Sequence, residues 1–173
     1  AGLGGPFFEF KKQQRVAMEN ARAVIKAVGE EYSALSGRPF DVVETWGMED
    51  AETAIVVLGS TAGNARHVAR ELRARGEKVG VVKLRVWRPF PYAELAAVLK
   101  GLKAVAVLDR AESFGAEGGP LFLEVRGALY DLDTHVPVVG YIYGLGGADV
   151  KLELIERVYQ DLSDIAAGAA APS

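Results

Sequence analysis

The chain contains no cysteine. That excludes disulfides, thiolate zinc sites and any iron–sulfur cluster held by its own residues, and it fits a reducing compartment. Its two histidines, His67 and His135, are too few for a histidine-rich metal centre. No apolar run approaches the ~18 residues of a membrane span, and no charged-then-apolar leader opens the sequence. Net charge is only −3, so nothing draws the chain toward nucleic acid or an anionic membrane. Apolar side chains, by contrast, are plentiful, at 50 % of 173 residues against 25 % charged. That supports one buried core, with or without an appended arm, and excludes disorder for most of the chain. Glycine is in excess, 20 residues or about 12 % where ~7 % is usual, and most of it falls between the apolar runs.

Residue 1 is Ala, and the opening Ala1-Gly2-Leu3-Gly4-Gly5-Pro6 reads as a linker, so the expectation is a piece of a longer polypeptide. Residues 8–35 carry Phe10, Val16, Ala17, Ala21, Val24, Ile25 and Val28 at three- and four-residue spacing, the pattern of one long helix. Ser36-Gly37-Arg38-Pro39 stops it. Such a helix beside a linker is expected to serve as an arm that packs on a neighbouring domain or subunit. The period then changes. A short strand is predicted near 42–46, and continuous apolar runs at 53–58, 78–86, 103–108 and 136–142 predict strands buried on both faces. Amphipathic helices are predicted at 62–75, 91–100 and 120–129, with Asp149 capping a last one to about Ser163. The alternation predicts a doubly wound α/β sheet. The strand at 42–46 is separated from the next by only a turn, too short for a parallel crossover, so it is expected at an antiparallel edge. The domain plan is a linker and helical arm over 1–37, an α/β domain over 38–165 and a flexible tail over 166–173.

In open α/β sheets, ligand and partner contacts gather at the carboxyl ends of the strands. Gly59-Ser60-Thr61-Ala62-Gly63-Asn64 offers hydroxyls at a helix start, where an anion is favoured. It lacks the spacing of a dinucleotide fingerprint and the Lys of a P-loop, and Ser60 or Thr61 would equally serve as a plain helix cap. Arg85-Val86-Trp87-Arg88-Pro89-Phe90-Pro91 has the Arg and Trp of a contact surface, with a cation–π stack open to it. Asp109-Arg110-Ala111-Glu112-Ser113 brings carboxylates and a guanidinium to a strand end, for acid–base work or, more simply, for an internal salt bridge or subunit contact. Gly144-Leu145-Gly146-Gly147 reads as close backbone packing. The candidate interface or anion contacts are therefore Ser60, Thr61, Asn64, Arg85, Trp87, Arg88, Asp109, Arg110, Glu112 and Ser113. No self-sufficient catalytic set is present.

Several motifs in order carry a resemblance. They are Ile55 to Gly63, Lys78 to Pro91, Ala104 to Arg110, Ser113-Phe114-Gly115, Gly118 to Val125, and Pro137-Val138-Val139 through Gly144-Leu145-Gly146-Gly147. Over roughly residues 8–160 the chain resembles the 2-oxoacid:ferredoxin oxidoreductases, in particular the C-terminal part of the alpha chain of the pyruvate:ferredoxin (pyruvate synthase) type. The resemblance implies a three-layer α/β/α fold like the transketolase C-terminal domain. Its five-stranded mixed sheet would run in the order 1-3-2-4-5 with strand 1 antiparallel. It implies a cytoplasmic parent enzyme that uses thiamine diphosphate, Mg, iron–sulfur clusters and coenzyme A, and passes electrons to ferredoxin. None of those cofactors is expected to be held by this domain. Its implied partners are the thiamine-binding domains and other subunits of the same enzyme, and its implied work is bracing them. The alternative is an independent anion- or CoA-binding module using the Ser60-Thr61 loop. A response-regulator switch fails, because no acidic cluster follows the first strand.

Overall fold

The computed structural model describes residues 5–132 and 135–172, which fall into two compact units. The first joins the N-terminal segment up to Val42 with Val86–Pro91; the second joins Val43–Arg85 with the chain from Tyr92 onward. The sequence-based boundary at 37/38 thus differs from the structural one, because 38–42 and 86–91 group with the helical arm.

Helix α1 (Gly5–Ser36) dominates the first unit. It already includes Gly5 and Pro6, assigned to the linker from sequence; Ala1–Gly4 lie outside the described residues. Gly29 is its one buried residue, because the Phe40 ring lies where a Cβ would stand, 2.5 Å away. Ser33 ties the same segment down: its hydroxyl donates to the Gly29 carbonyl (2.7 Å) and accepts from the Phe40 N–H (2.9 Å). Arg22 donates to the Phe90 carbonyl at 2.7 Å. The helix stops at Gly37, whose φ of +68° suits glycine and few other residues.

The second unit is built on strands β1 (Val43–Trp46), β2 (Thr53–Leu58), β3 (Val79–Leu84), β4 (Ala104–Asp109) and β5 (Val138–Ile142). They form one five-stranded sheet in the order β1-β3-β2-β4-β5. Only β1 is antiparallel, with Glu44 opposite Lys83 and Trp46 opposite Val81. The edge strand and the mixed order agree with the expectation. Around the sheet lie α2 (Thr61–Ala74), α3 (Tyr92–Leu99), α4 (Pro120–Leu129) and α5 (Leu152–Ala166). The last helix starts at Leu152 with Lys151 at its cap position, so Asp149 does not cap it. Its C-terminus is closed by Ala167 N–H donating to Ser163 O (3.0 Å) and Ala169 N–H to Asp164 O (2.8 Å), so the segment expected as a tail begins as a helix cap.

Alternation along the strands assigns two faces. Ile55, Val57, Val81, Ala106 and Leu108 pack against α2 and α5 through Val68, Leu72, Ile155 and Leu162. Ala54, Val56, Val105 and Val107 point the other way, where α4 crosses β4 with α3 beside it, and they too are fully buried. Tyr159, 1 % exposed, donates its hydroxyl to the Gly80 carbonyl at 3.0 Å, so its polar end is satisfied inside the core.

At Gly80 a Cβ would overlap the Met48 sulfur and come within 3.2 Å of Ala51 Cβ and 3.3 Å of the Gly47 carbonyl. Gly80→Ala is therefore expected to destabilise the chain by about 1–3 kcal/mol. Denaturant titration would register this as a lower midpoint at unchanged slope.

Candidate functional site

The carboxyl ends of β2, β3 and β4 bring the candidate residues of the second unit to one edge of the sheet. Asp109, the last residue of β4, is 4 % exposed. Its Oδ1 accepts from the Leu121 N–H and its Oδ2 from the Phe122 N–H, both at 2.9 Å. These are free donors of the first turn of α4, so Asp109 caps that helix from across the intervening loop. Gly119 holds the ordinary cap position with extended backbone, and a Cβ there would overlap the Asp109 carboxylate. The absent side chain at 119 lets a remote carboxylate take over the cap. Both carboxylate oxygens of Asp109 are thus engaged by the start of α4. Arg110 donates to the Gly144 carbonyl (3.3 Å) and stays exposed, as does Glu112, while Ser113 is half-buried.

At the β2 end, neither hydroxyl caps α2. Ser60 occupies the cap position in helical conformation and makes no side-chain cap bond. Thr61 is 7 % exposed and its Oγ1 accepts from the Tyr143 hydroxyl at 2.9 Å, joining α2 to the segment after β5. Ser60 is therefore not the plain cap, and the Thr61 oxygen serves this internal bond. Asn64 is half-buried in the next turn.

The Arg85–Pro91 motif divides between the units. In the first, Arg88 lies over the Trp87 ring at 4.5 Å, the cation–π stack expected from sequence, and Trp87 packs edge-on to Phe90 at 5.6 Å. In the second, Arg85 donates twice to Glu44 Oε2, from Nε at 2.9 Å and Nη2 at 2.6 Å. Lys83 Nζ and Arg66 Nη1 each stand 3.8 Å from the same carboxylate. Partial burial alone would raise the Glu44 pKa; the hydrogen bond from Arg85 and the charges of Arg85, Lys83 and Arg66 outweigh it and hold the carboxyl below its usual range. This charged cluster borders a cleft of ≈ 170 Å³ lined by Glu44, Trp46, Ser60, Gly63, Arg66 and Lys83 among others. Sequence reasoning missed Glu44, Arg66 and Lys83. Their one signal is the opposite charge of Glu44 and Lys83, and those residues become neighbours only once β1 pairs with β3 in this register.

Sequence reasoning also missed Phe114. It stands fully exposed in the loop between β4 and α4, beside Gly115 at φ +72°. Among the described residues no group of three or more His, Cys, Asp or Glu side chains could hold a metal ion, and no helix is long and apolar enough to cross a membrane. The chain has no cysteine to ligate an iron–sulfur cluster.

Two outcomes follow from the carboxylates. Asp109→Ala strands two N–H groups at the start of α4 and is expected to cost about 1–3 kcal/mol in denaturant unfolding. Glu44 titrates at lower pH in the folded chain than in the unfolded one, so its stabilisation is complete above the unfolded pKa and fades as pH falls through the folded one. The gap in unfolding free energy between wild type and Glu44→Gln should therefore be full at neutral pH and close below about pH 4.

Against this geometry, the family model described as "Pyruvate:ferredoxin oxidoreductase core domain II" matches residues 51–155. Pyruvate synthase subunit PorA of Thermotoga maritima is 45 % identical over 155 residues, 90 % of this chain and 39 % of that protein. The alpha subunit of NADH-dependent phenylglyoxylate dehydrogenase from Aromatoleum evansii is 38 % identical over 168 residues, 96 % of this chain and 40 % of that protein. Ketoisovalerate oxidoreductase subunit VorA of Pyrococcus horikoshii is 38 % identical over 160 residues, 92 % and 40 % respectively. The chain thus spans about two-fifths of the length of the curated relatives it matches. The solved structure of a 2-oxoglutarate:ferredoxin oxidoreductase from Magnetococcus marinus shares the fold, with a TM-score of 0.58 at 20 % identity over 93 % of this chain and 24 % of that one. A mixed sheet with one antiparallel edge, wrapped by helices and matched by the family model over most of its strands, belongs to the pyruvate:ferredoxin oxidoreductase core domain II family.

Proposed function

We propose that this chain is the core domain II portion of the alpha subunit of a thiamine-diphosphate-dependent 2-oxoacid:ferredoxin oxidoreductase, with pyruvate as the first candidate substrate. The parent enzyme oxidatively decarboxylates the 2-oxoacid to an acyl-CoA and hands the electrons to ferredoxin, in the cytoplasm. The proposed task of this portion is structural: it braces the thiamine-binding domains and other subunits, and it holds none of the reacting groups. The observation carrying this reading is the family match over 51–155 in a chain whose candidate acid, Asp109, is consumed by a helix cap.

The contacts proposed for that bracing are exposed side chains at loop positions: Arg88, which carries its stack on Trp87, and Arg110, Glu112 and Phe114. Phe114 is suited to be an anchor, since a fully exposed aromatic regains most when a partner covers it.

Two measurements test the proposal. The isolated chain, given a 2-oxoacid, thiamine diphosphate, Mg and coenzyme A, is expected to show no decarboxylation; turnover by this chain alone would refute the structural assignment. In the assembled enzyme, Phe114→Asp is expected to weaken subunit association by about tenfold or more while leaving the circular dichroism of the isolated chain unchanged.

A further inference from the structure

Helix α1 carries an inference independent of the parent enzyme's reaction. The positions of α1 shielded within this chain are Ala21, Ile25, Gly29 and Ser33, four residues apart on one side of the helix. A second row lies well round from them. Phe10, Gln13, Ala17, Asn20, Val24 and Ala27 follow one another in alternating steps of three and four, the spacing of a coiled-coil seam. All six are exposed, Phe10 at 62 % and Val24 at 61 %, and Val28 beside them is 56 % exposed. No charged residue interrupts the row from Phe10 to Ala27, although the same stretch holds Lys12, Arg15, Glu19, Arg22 and Lys26 on other sides. Helices in proteins draw most of their stability from packing an apolar face, and nothing among the described residues packs this one.

A second observation comes from charge. Lys11 and Lys12 stand near the amino end of the row, Glu30 and Glu31 just past its carboxyl end. Among the described residues, Lys12, Glu30 and Glu31 make no ion pair with their own chain. Parallel pairing of two such helices would set lysine beside lysine and glutamate beside glutamate. Antiparallel pairing sets the basic end of each beside the acidic end of the other and also opposes the two helix dipoles. Size is complementary in the same sense, because the row continues through Glu31 and Ala34. Run antiparallel, the bulky Phe10 of one helix falls opposite Ala34 of the other, Gln13 opposite Glu31, and Ala17 opposite Ala27.

We propose that α1 pairs through this seam with α1 of a second copy of the chain, antiparallel, with the crossing between Asn20 and Val24. The small side chains near the crossing let the helices approach closely, and Asn20, a single uncharged polar residue in mid-seam, restricts the register. A second copy is the fitting occupant because the seam complements itself when reversed, in size and in charge. About 15 positions a side would be covered, fewer than the roughly 20–30 of a standard interface, so a dimer with a micromolar Kd is expected rather than a tight one.

The test uses the full 173-residue chain. Sedimentation equilibrium up to a few hundred micromolar, on the order of the weak Kd expected, should show monomer and dimer in exchange. Val24→Glu places a charge at the crossing and should weaken the dimer by about tenfold or more while leaving helical circular dichroism unchanged. The lack of any native cysteine makes orientation readable by cross-linking. When Gln13→Cys and Glu31→Cys chains are oxidised together, a mixed disulfide between the two should outrun either same-site disulfide. The pairing is overturned by a chain that stays monomeric throughout, which would assign the seam to a different domain or subunit. It is equally overturned if Val24→Glu dimerises as wild type does, or if same-site disulfides form in place of the mixed one. Gln13 and Glu31 are both exposed, so the cysteine arm decides the matter even should Val24→Glu fail to fold.

Discussion

Strand β2 sets the terms for the second unit. Ala54, Ile55, Val56 and Val57 are all fully buried, so both faces of the sheet must be covered at its centre. Neighbouring β3 and β4 run parallel to it, and a parallel partner can be reached only by a crossover long enough to hold a helix. Each crossover therefore delivers a helix to one face or the other, and the two-sided burial of β2 fixes how many layers there are. The carboxyl ends of the strands are left as the edge where loops can vary, and polar and aromatic residues collect in those loops.

At that edge, internal needs consume most of the chemistry that the sequence displays. The Asp109 carboxylate caps α4, the Thr61 hydroxyl answers Tyr143, and the Tyr143 N–H in turn donates to the Asp109 carbonyl at 3.0 Å. These bonds tie the ends of β4 and β5 to the starts of α2 and α4. Arg110, Glu112 and Phe114 are side chains that stay exposed there.

The opposite end of the sheet shows a different use of charge. Glu52 accepts from Lys78 at 3.2 Å and from Lys103, clamping the segments that lead into β2, β3 and β4. Those two hydrogen bonds, first from Lys103 and then from Lys78, hold the Glu52 carboxyl below its usual range. The clamp is exposed, so its contribution is modest. It completes a division in which the amino edge of the sheet secures the fold and the carboxyl edge presents it.

Much of this was legible from residue order alone, for a physical reason. Continuous apolar runs such as Thr53–Leu58 and Ala104–Asp109 can be satisfied only between two helical layers, and the turn between β1 and β2 is too short for a parallel crossover. Glycine and proline marked the ends of elements because backbone conformation is a local property; Gly37, Gly76 and Gly101 all adopt positive φ where a helix stops. What each polar side chain does was not local. Asp109 meets α4 twelve positions later in the chain, Thr61 meets Tyr143 across eighty-two, and Glu44 finds Arg85 across forty-one. Sequence thus determined the layers and the strand at the edge, because burial and chain reach are written into short stretches. Only the tertiary structure decided which charges are consumed and which are left over, because a hydrogen bond depends on distance in space and the register of β1 on β3 sets that distance.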